Sequence, residues 1–263
     1  MTTRIRIGAL ISGGGTNLQA IIDSCESGAI DGQVVFVGSD NPAAAGLKRA
    51  RSRGISTFVV DYGAIIRDYR NAPNTAKLPP DFDLQGTLRR QQLVASEHNP
   101  SRAELFLQTR AIAESRLLEE MSAYSFDLLV LAGFMRNLTP YFIDRVNTDP
   151  ARPRIMNIHP ALLPAFPGVD GYGDTFRYGC KVGGCTVHFI DYGEDSGPII
   201  GQKAFDIADD DTLERIKEKG LALEWQLYPE CIQLFAHNRL RVEMRSHTLG
   251  DGTQSSRRVV VRE

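Results

Sequence analysis

Long apolar runs are missing from this chain. No hydrophobic stretch reaches the roughly 20 residues of a membrane span. The opening MTTRIRIGALIS lacks the apolar region and small-residue cleavage site of a secretory signal. A cytoplasmic protein with no membrane partner is therefore expected. Cysteine is scarce as well. Cys25, Cys180, Cys185 and Cys231 are scattered, and only Cys180 and Cys185 stand close, without a second ligand pair or a histidine cluster beside them. That pattern implies no metal and no disulfide framework, and it reads as reduced thiols. An excess of charge of one sign is absent too: 30 Lys+Arg against 32 Asp+Glu leave a net charge of -2, which supplies no electrostatic reason to expect nucleic acid as a partner. The arginines gathered toward the end are read as a solvated basic extension over 241–263.

What is present is the composition of an ordinary globular protein, 42% hydrophobic and 24% charged over 263 residues. Strand-like and helix-like segments alternate through the first half. RIRIGALIS (4–12) reads as a strand, TNLQAIIDSCESG as a helix ending near Gly28, 32–40 as a strand, 43–54 as a helix and 55–61 as a third strand. A long helix is expected at about 102–123, and FDLLVLAGF (126–134) is a strand without alternation, as burial on both faces produces. This order predicts a doubly wound α/β fold with a mostly parallel sheet. PRIMNIHP, GGCTVHFID and GPIIGQKAFDI then follow one another with only loops between them, so antiparallel strands are expected in the C-terminal half, closed by a helix at about 211–237. A single catalytic domain over 1–240 follows. Residues 62–101 fit no period and are read as a surface insertion near the mouth of the site, with small helices of its own.

Two stretches carry chemistry. In ISGGGTNLQ (11–19) three glycines join the first strand to the first helix. They allow close backbone approach to a ligand, and the free amides that open the helix favour an anion. The spacing matches neither G-x-G-x-x-G nor the P-loop, so a phosphorylated substrate is expected without nucleotide chemistry. In NIHP, Asn157 and His159 leave the carboxyl end of a buried strand on the same side, where open α/β sheets bind ligands. One amide donor and one titratable ring would then face a single reacting atom. DYGEDSGPII offers Asp191, Glu194 and Asp195 as carboxylates able to orient the ring, with Asp195 best placed before the Ser196-Gly197-Pro198 turn.

The segments ISGGGTNLQAIID, LAGFMRNLTP, NIHPALLP and VHFIDYGEDSGPII occur in this order. Together they resemble the phosphoribosylglycinamide formyltransferase family of formyltetrahydrofolate-dependent enzymes, over roughly 4–60 and 102–240. The resemblance implies a Rossmann-like formyltransferase fold and formyl transfer from 10-formyltetrahydrofolate, the co-substrate, to the amine of glycinamide ribonucleotide in purine biosynthesis. It implies a catalytic trio of Asn157, His159 and Asp195, and a phosphate site at Gly14, Gly15, Thr16 and Asn17. Glu224 would meet the ribose hydroxyls. Arg102, Met135, Arg136, Asn137 and Leu138 would meet the folate. Small molecules are thus the expected partners, with the insertion serving either to cover the folate pocket or to build a homodimer.

Two departures from the family pattern stand out. After PALLPAFPG the family continues with a histidine-rich segment, whereas this chain reads VDGYGDTFRYGCKVGGC. The other departure is the insertion itself. The rival readings are a formyltetrahydrofolate hydrolase, which normally carries an N-terminal regulatory domain, and a methionyl-tRNA formyltransferase, which needs a C-terminal RNA-binding domain. A third is a non-catalytic folate or phosphoribosyl sensor on the same scaffold.

Overall fold

The computed structural model describes residues 4–73, 77–95 and 99–263. The first half follows the expected alternation: β1 (Ile5–Ile11), α1 (Thr16–Glu26), β2 (Gly32–Ser39), α2 (Gly46–Ser52) and β3 (Ser56–Val59). α3 (Tyr62–Asn71), α4 (Leu84–Arg90), α5 (Pro100–Ser122), β4 (Leu128–Leu131) and α6 (Pro140–Val146) come next. The second half holds β5 (Ile155–His159), α7 (Gly171–Arg177), β6 (Val182–Phe189), β7 (Ile199–Asp206) and α8 (Leu213–Ala236). A hairpin of β8 (Leu240–Thr248) and β9 (Gln254–Arg262) ends the chain.

Among the described residues the main sheet has seven strands in the order β3-β2-β1-β4-β5-β6-β7. β3 through β5 run parallel, and β6 and β7 are antiparallel to their neighbours. The chain winds outward from β1 in both directions, so the carboxyl ends of β1 and β4 flank the crevice where such sheets bind ligands. Each face of the sheet carries its own core. Ile7, Ala9 and Ile11 of β1 pack with Leu18, Ile21 and Tyr228 on one side, while Leu10 joins Phe36, Tyr62 and Phe142 on the other. Gly8 lies under the Phe36 ring, where a Cβ would stand 2.2 Å from the ring carbon. No helix among the described residues is long and apolar enough to cross a membrane.

Three features differ from the sequence expectation. The insertion contributes to the core: Tyr62, Ile65 and Tyr69 of α3 are buried against the α5 face, because their i, i+3, i+7 spacing gives the segment an apolar stripe that its prolines obscure. Residues 74–76 and 96–98 of that stretch lie outside the described residues. α6 and α7, each seven residues long, are too short for a periodic signal. The C-terminal segment is a docked hairpin, not a solvated tail. Leu240 and Val242 are buried, the Val242 amide donates to the Ala151 carbonyl at 2.8 Å, and Arg258 donates to the Pro150 carbonyl at 2.7 Å.

α5 is started by Asn99, whose side chain accepts from the Arg102 amide, with Pro100 at the first helical position. Further along it, Glu114 is fully buried and accepts from the backbone amide of Thr139 at 2.8 Å and from its hydroxyl at 2.5 Å, tying α5 to the start of α6. Burial pushes the Glu114 carboxyl up to about 8, against the opposing pull of Thr139 and Arg110. A raised acid favours the folded state while it holds its proton, so this contribution is present below the unfolded value of 4.5 and is lost as pH rises toward about 8. Glu114→Gln keeps a neutral group of the same shape. Its stability relative to the wild type should improve between about pH 5.5 and about pH 8.5 in urea denaturation. A difference that stays constant across that range would mean the acid is ionised throughout.

Candidate active site

The loops that leave β1, β4 and β5 meet at one edge of the sheet. The Ser12 amide donates to the Gly133 carbonyl at 3.0 Å, and the Met135 amide donates to the Ser12 hydroxyl at 2.8 Å. Beside this junction opens a cavity of about 300 Å3 lined by Asn157, His159, Asp195 and Glu224, with Arg110 and Arg136 toward one end. Tyr228, buried in α8, donates to the carbonyls of Met156 and Leu131 at 2.8 and 3.2 Å, which holds that helix against the ends of β5 and β4.

His159 is 2% exposed and each ring nitrogen has one neighbour. Nδ1 lies 3.1 Å from the Asp195 carboxylate and Nε2 lies 2.7 Å from the Phe166 carbonyl. A carbonyl can only accept, and an ionised carboxylate can only accept. Both contacts are satisfied as hydrogen bonds only when both ring nitrogens donate, an arrangement that favours the imidazolium. Burial opposes that charge, but Asp195 and the Phe166 carbonyl outweigh it and raise the His159 pKa above its ordinary value of 6.5. For Asp195, burial pushes upward, while His159 and the Gly168 amide at 2.8 Å pull it well below the usual carboxylate range. Phe166 and Asp195 reach these positions with φ of 54° and 50°. Left-handed backbone is unfavourable for both residues and concentrates where structure serves a site.

Asn157 faces His188 across the antiparallel β5–β6 pair. His188 Nδ1 lies 2.9 Å from the Phe189 carbonyl and donates to it, while Nε2 lies 3.2 Å from Asn157 Nδ2 and 3.6 Å from Asp195 Oδ1. His188 thus holds Asn157 and Asp195 in one cluster. His188, fully buried, is a positioning residue absent from the sequence reading. Its signal was a lone histidine inside an otherwise apolar strand.

Glu224, in the middle of α8, accepts from Asn17 Nδ2 at 2.6 Å and from the Tyr172 hydroxyl at 2.7 Å. Of the glycine loop, Asn17 lines the cavity, Gly14 and Thr16 are exposed, and Gly15 is buried. Gly15 has φ 71°, and a Cβ there would meet the Gly46 Cα at 2.8 Å, so no other residue fits. Around Gly14 a Cβ would meet nothing within 4 Å, which leaves the loop's outer side open.

On the far side Arg136 pairs with the buried Asp40 at 2.5 Å, Leu138 is buried, and Met135 is 58% exposed at the rim. Asn137 donates to Glu194 at 3.1 Å. Arg102 is not brought to the cavity. It is exposed in the first turn of α5, and the arginine of that helix that lines the cavity is Arg110, two turns further on. Arg110 is 8% exposed, its guanidinium lies 5.2 Å from the centre of the Tyr62 ring, and its Nε has no partner. The sequence expectation gave this place to Arg102, whereas the arginine of α5 that lines the cavity is Arg110.

The arrangement gathers His159, Asp195 and Asn157 in one cavity that is also lined by Arg110, Arg136 and Glu224. Residues 5–232 match the formyl transferase family. The phosphoribosylglycinamide formyltransferase of Bacillus subtilis is 31% identical over 84% of this chain and 90% of its own length. The trifunctional purine biosynthetic protein adenosine-3 of Bos taurus is 31% identical over 91% of this chain, which spans 19% of that longer protein. Among solved structures, glycinamide ribonucleotide transformylase 1 from Symbiobacterium toebii is 36% identical, covering 100% of this chain and 95% of its own, with a TM-score of 0.69. The chain belongs to the formyl transferase family and, within it, to the phosphoribosylglycinamide formyltransferases, one-carbon transferases of purine biosynthesis.

Proposed function

We propose that this protein transfers the formyl group of 10-formyltetrahydrofolate to the primary amine of glycinamide ribonucleotide by direct attack. The observation that carries this reading is His159, buried between a carboxylate and a carbonyl, two groups that favour its charged form. The residues present fit a folate. Apolar Leu131, Phe134 and Leu138 line the cavity beside Arg136 and Arg110, and the unpartnered Arg110 Nε is a buried donor suited to an anionic tail. When bound, the folate supplies an activated formyl carbon whose oxygen becomes negative as the amine attacks.

The chain's own groups act on that charge. Asn157 donates an N–H to the oxygen, and the His159 imidazolium stabilises it electrostatically in a site where burial weakens screening. Asp195 keeps the ring charged and takes the proton the attacking amine gives up; as the oxygen's charge collapses, the bond from the formyl carbon to the folate nitrogen breaks and that nitrogen takes the proton, leaving as tetrahydrofolate. Gly14, Gly15, Thr16 and Asn17 hold the phosphate with the open amides of α1, and Glu224 takes the ribose hydroxyls. Met135, Arg136, Asn137 and Leu138 border the folate, with Arg110 in the place that the sequence had given to Arg102. On this reading no metal takes part, and the protein works in the cytoplasm.

The direct test is tetrahydrofolate release from 10-formyltetrahydrofolate with and without glycinamide ribonucleotide. Release that requires the ribonucleotide and yields formylated product is expected. Equal release without it would make the protein a hydrolase, and none in either case would leave a sensor. His159→Ala should lower kcat about 10²–10³-fold. Near-wild-type turnover would remove the ring from the mechanism.

The sign of the pH dependence follows from the cation. Activity should persist through neutral pH and fall as His159 loses its proton, at a pH above 6.5. Asp195→Asn removes the charge that raises this value, so in that variant the alkaline fall should begin at lower pH. An alkaline limb that does not move would show that the titration belongs to another group.

A further inference from the structure

Tyr172 lies in the rebuilt segment between PALLPAFPG and β6, where the family pattern offers no guide to its role. It is 5% exposed, and its hydroxyl reaches Glu224 Oε1 at 2.7 Å. Two glycines make room for it. A Cβ on Gly220 of α8 would come within 2.1 Å of the Tyr172 ring, and a Cβ on Gly171 would come within 2.6 Å of the Pro160 carbonyl, the residue after His159. α7 is thus pressed against the catalytic strand on one side and lays its phenol on the bare face of α8 on the other.

One N–H of the Asn17 carboxamide and the only hydrogen of the Tyr172 hydroxyl are committed to the Glu224 carboxylate. An ionised carboxylate accepts at both oxygens and more than once at each, so Glu224 keeps acceptor capacity toward the cavity it lines. Glu224 lies between the main cavity and a second one of about 360 Å3 whose walls include Tyr172 and Lys217. Burial pushes the Tyr172 phenol up, with the Glu224 charge adding to it, so the hydroxyl stays a donor at physiological pH.

We propose that Tyr172 is a specificity-determining residue: by committing its only proton to Glu224 it fixes the carboxylate so that the remaining lone pairs select a sugar bearing vicinal hydroxyls over its deoxy counterpart. A group that donates two hydrogen bonds satisfies these lone pairs, while a sugar lacking one hydroxyl leaves a buried acceptor unpaired. The proposal rests on the reading of Glu224 as the group that meets the ribose.

The test is calorimetric binding of glycinamide ribonucleotide and its 2-deoxyribose counterpart to the full chain, wild type against Tyr172→Phe. The phenylalanine keeps the ring against Gly220 and removes only the hydroxyl. The wild type should prefer the ribose form by at least about tenfold, and the variant by no more than about twofold. Gly220→Ala, which displaces the ring from the opposite side, should narrow the ratio in the same way. A wild-type ratio preserved in Tyr172→Phe would overturn the proposal. So would a wild type without preference, or a variant that loses both ligands equally. The ratio is read from binding alone, so it stands apart from the tetrahydrofolate assay: a chain that binds both sugars but transfers no formyl group would fail only the reaction.

Discussion

The polar cluster of the cavity depends on one buried histidine whose two ring nitrogens both face acceptors. An isolated buried cation would shed its proton, because desolvation disfavours the charged form. His159 keeps it because each ring nitrogen faces an acceptor, one of them a carboxylate. Those acceptors come from two loops far apart in sequence, and each is delivered by a residue in left-handed backbone. The Gly168 amide, which donates to the same Asp195 oxygen that faces His159, links the two loops. The strain at Phe166 and Asp195, of order 1–3 kcal/mol each, is tolerated because the surrounding contacts over-determine both positions.

The change of strand direction after β5 has a consequence for chemistry. Antiparallel pairing places Asn157 opposite His188, with both side chains on the same face of the pair. The His188 ring then lies beside both Asn157 and Asp195 and positions them. A parallel β6 would have required a crossover helix on this face, and no short loop carrying Asp195 could then return to His159. The fold's one departure from a uniform parallel sheet is what brings its polar groups together.

How much of this was legible in the sequence follows from how local each signal is. β1, β4 and β5 are apolar runs, and Asn157, His159 and Asp195 are polar residues at strand ends, so they stand out against their surroundings. Glu224 and Asn17 were reached through the resemblance, and the structure brings them into contact. Arg110 was missed because an insertion of irregular length precedes α5 and no periodicity fixes the helix's rotation in advance. Tyr172 was hidden for another reason. Its significance lies in a phenol meeting a carboxylate 52 residues away across a bare glycine, and nothing within either segment announces the other. The Phe166 carbonyl is invisible in principle, because a backbone oxygen carries no residue type.

The distribution of charge along the cavity gives the site its polarity. Arg110 and Arg136 gather at one end around the Tyr62 ring, at 5.2 and 5.5 Å from its centre. Their mutual repulsion and the burial of Arg110 lower that guanidinium's pKa, while the nearby Glu114 and Asp40 oppose the fall. The other end presents the Glu224 carboxylate, held by Asn17 and the Tyr172 hydroxyl. His159 sits between them and is itself stabilised by the Glu224 charge. A ligand with an anionic tail is drawn to the first end and repelled from the second, while one rich in hydroxyl donors is held at the second. On the proposed reading, two substrates can occupy one continuous cavity without exchanging places, and their reactive ends meet only where the buried cation stands.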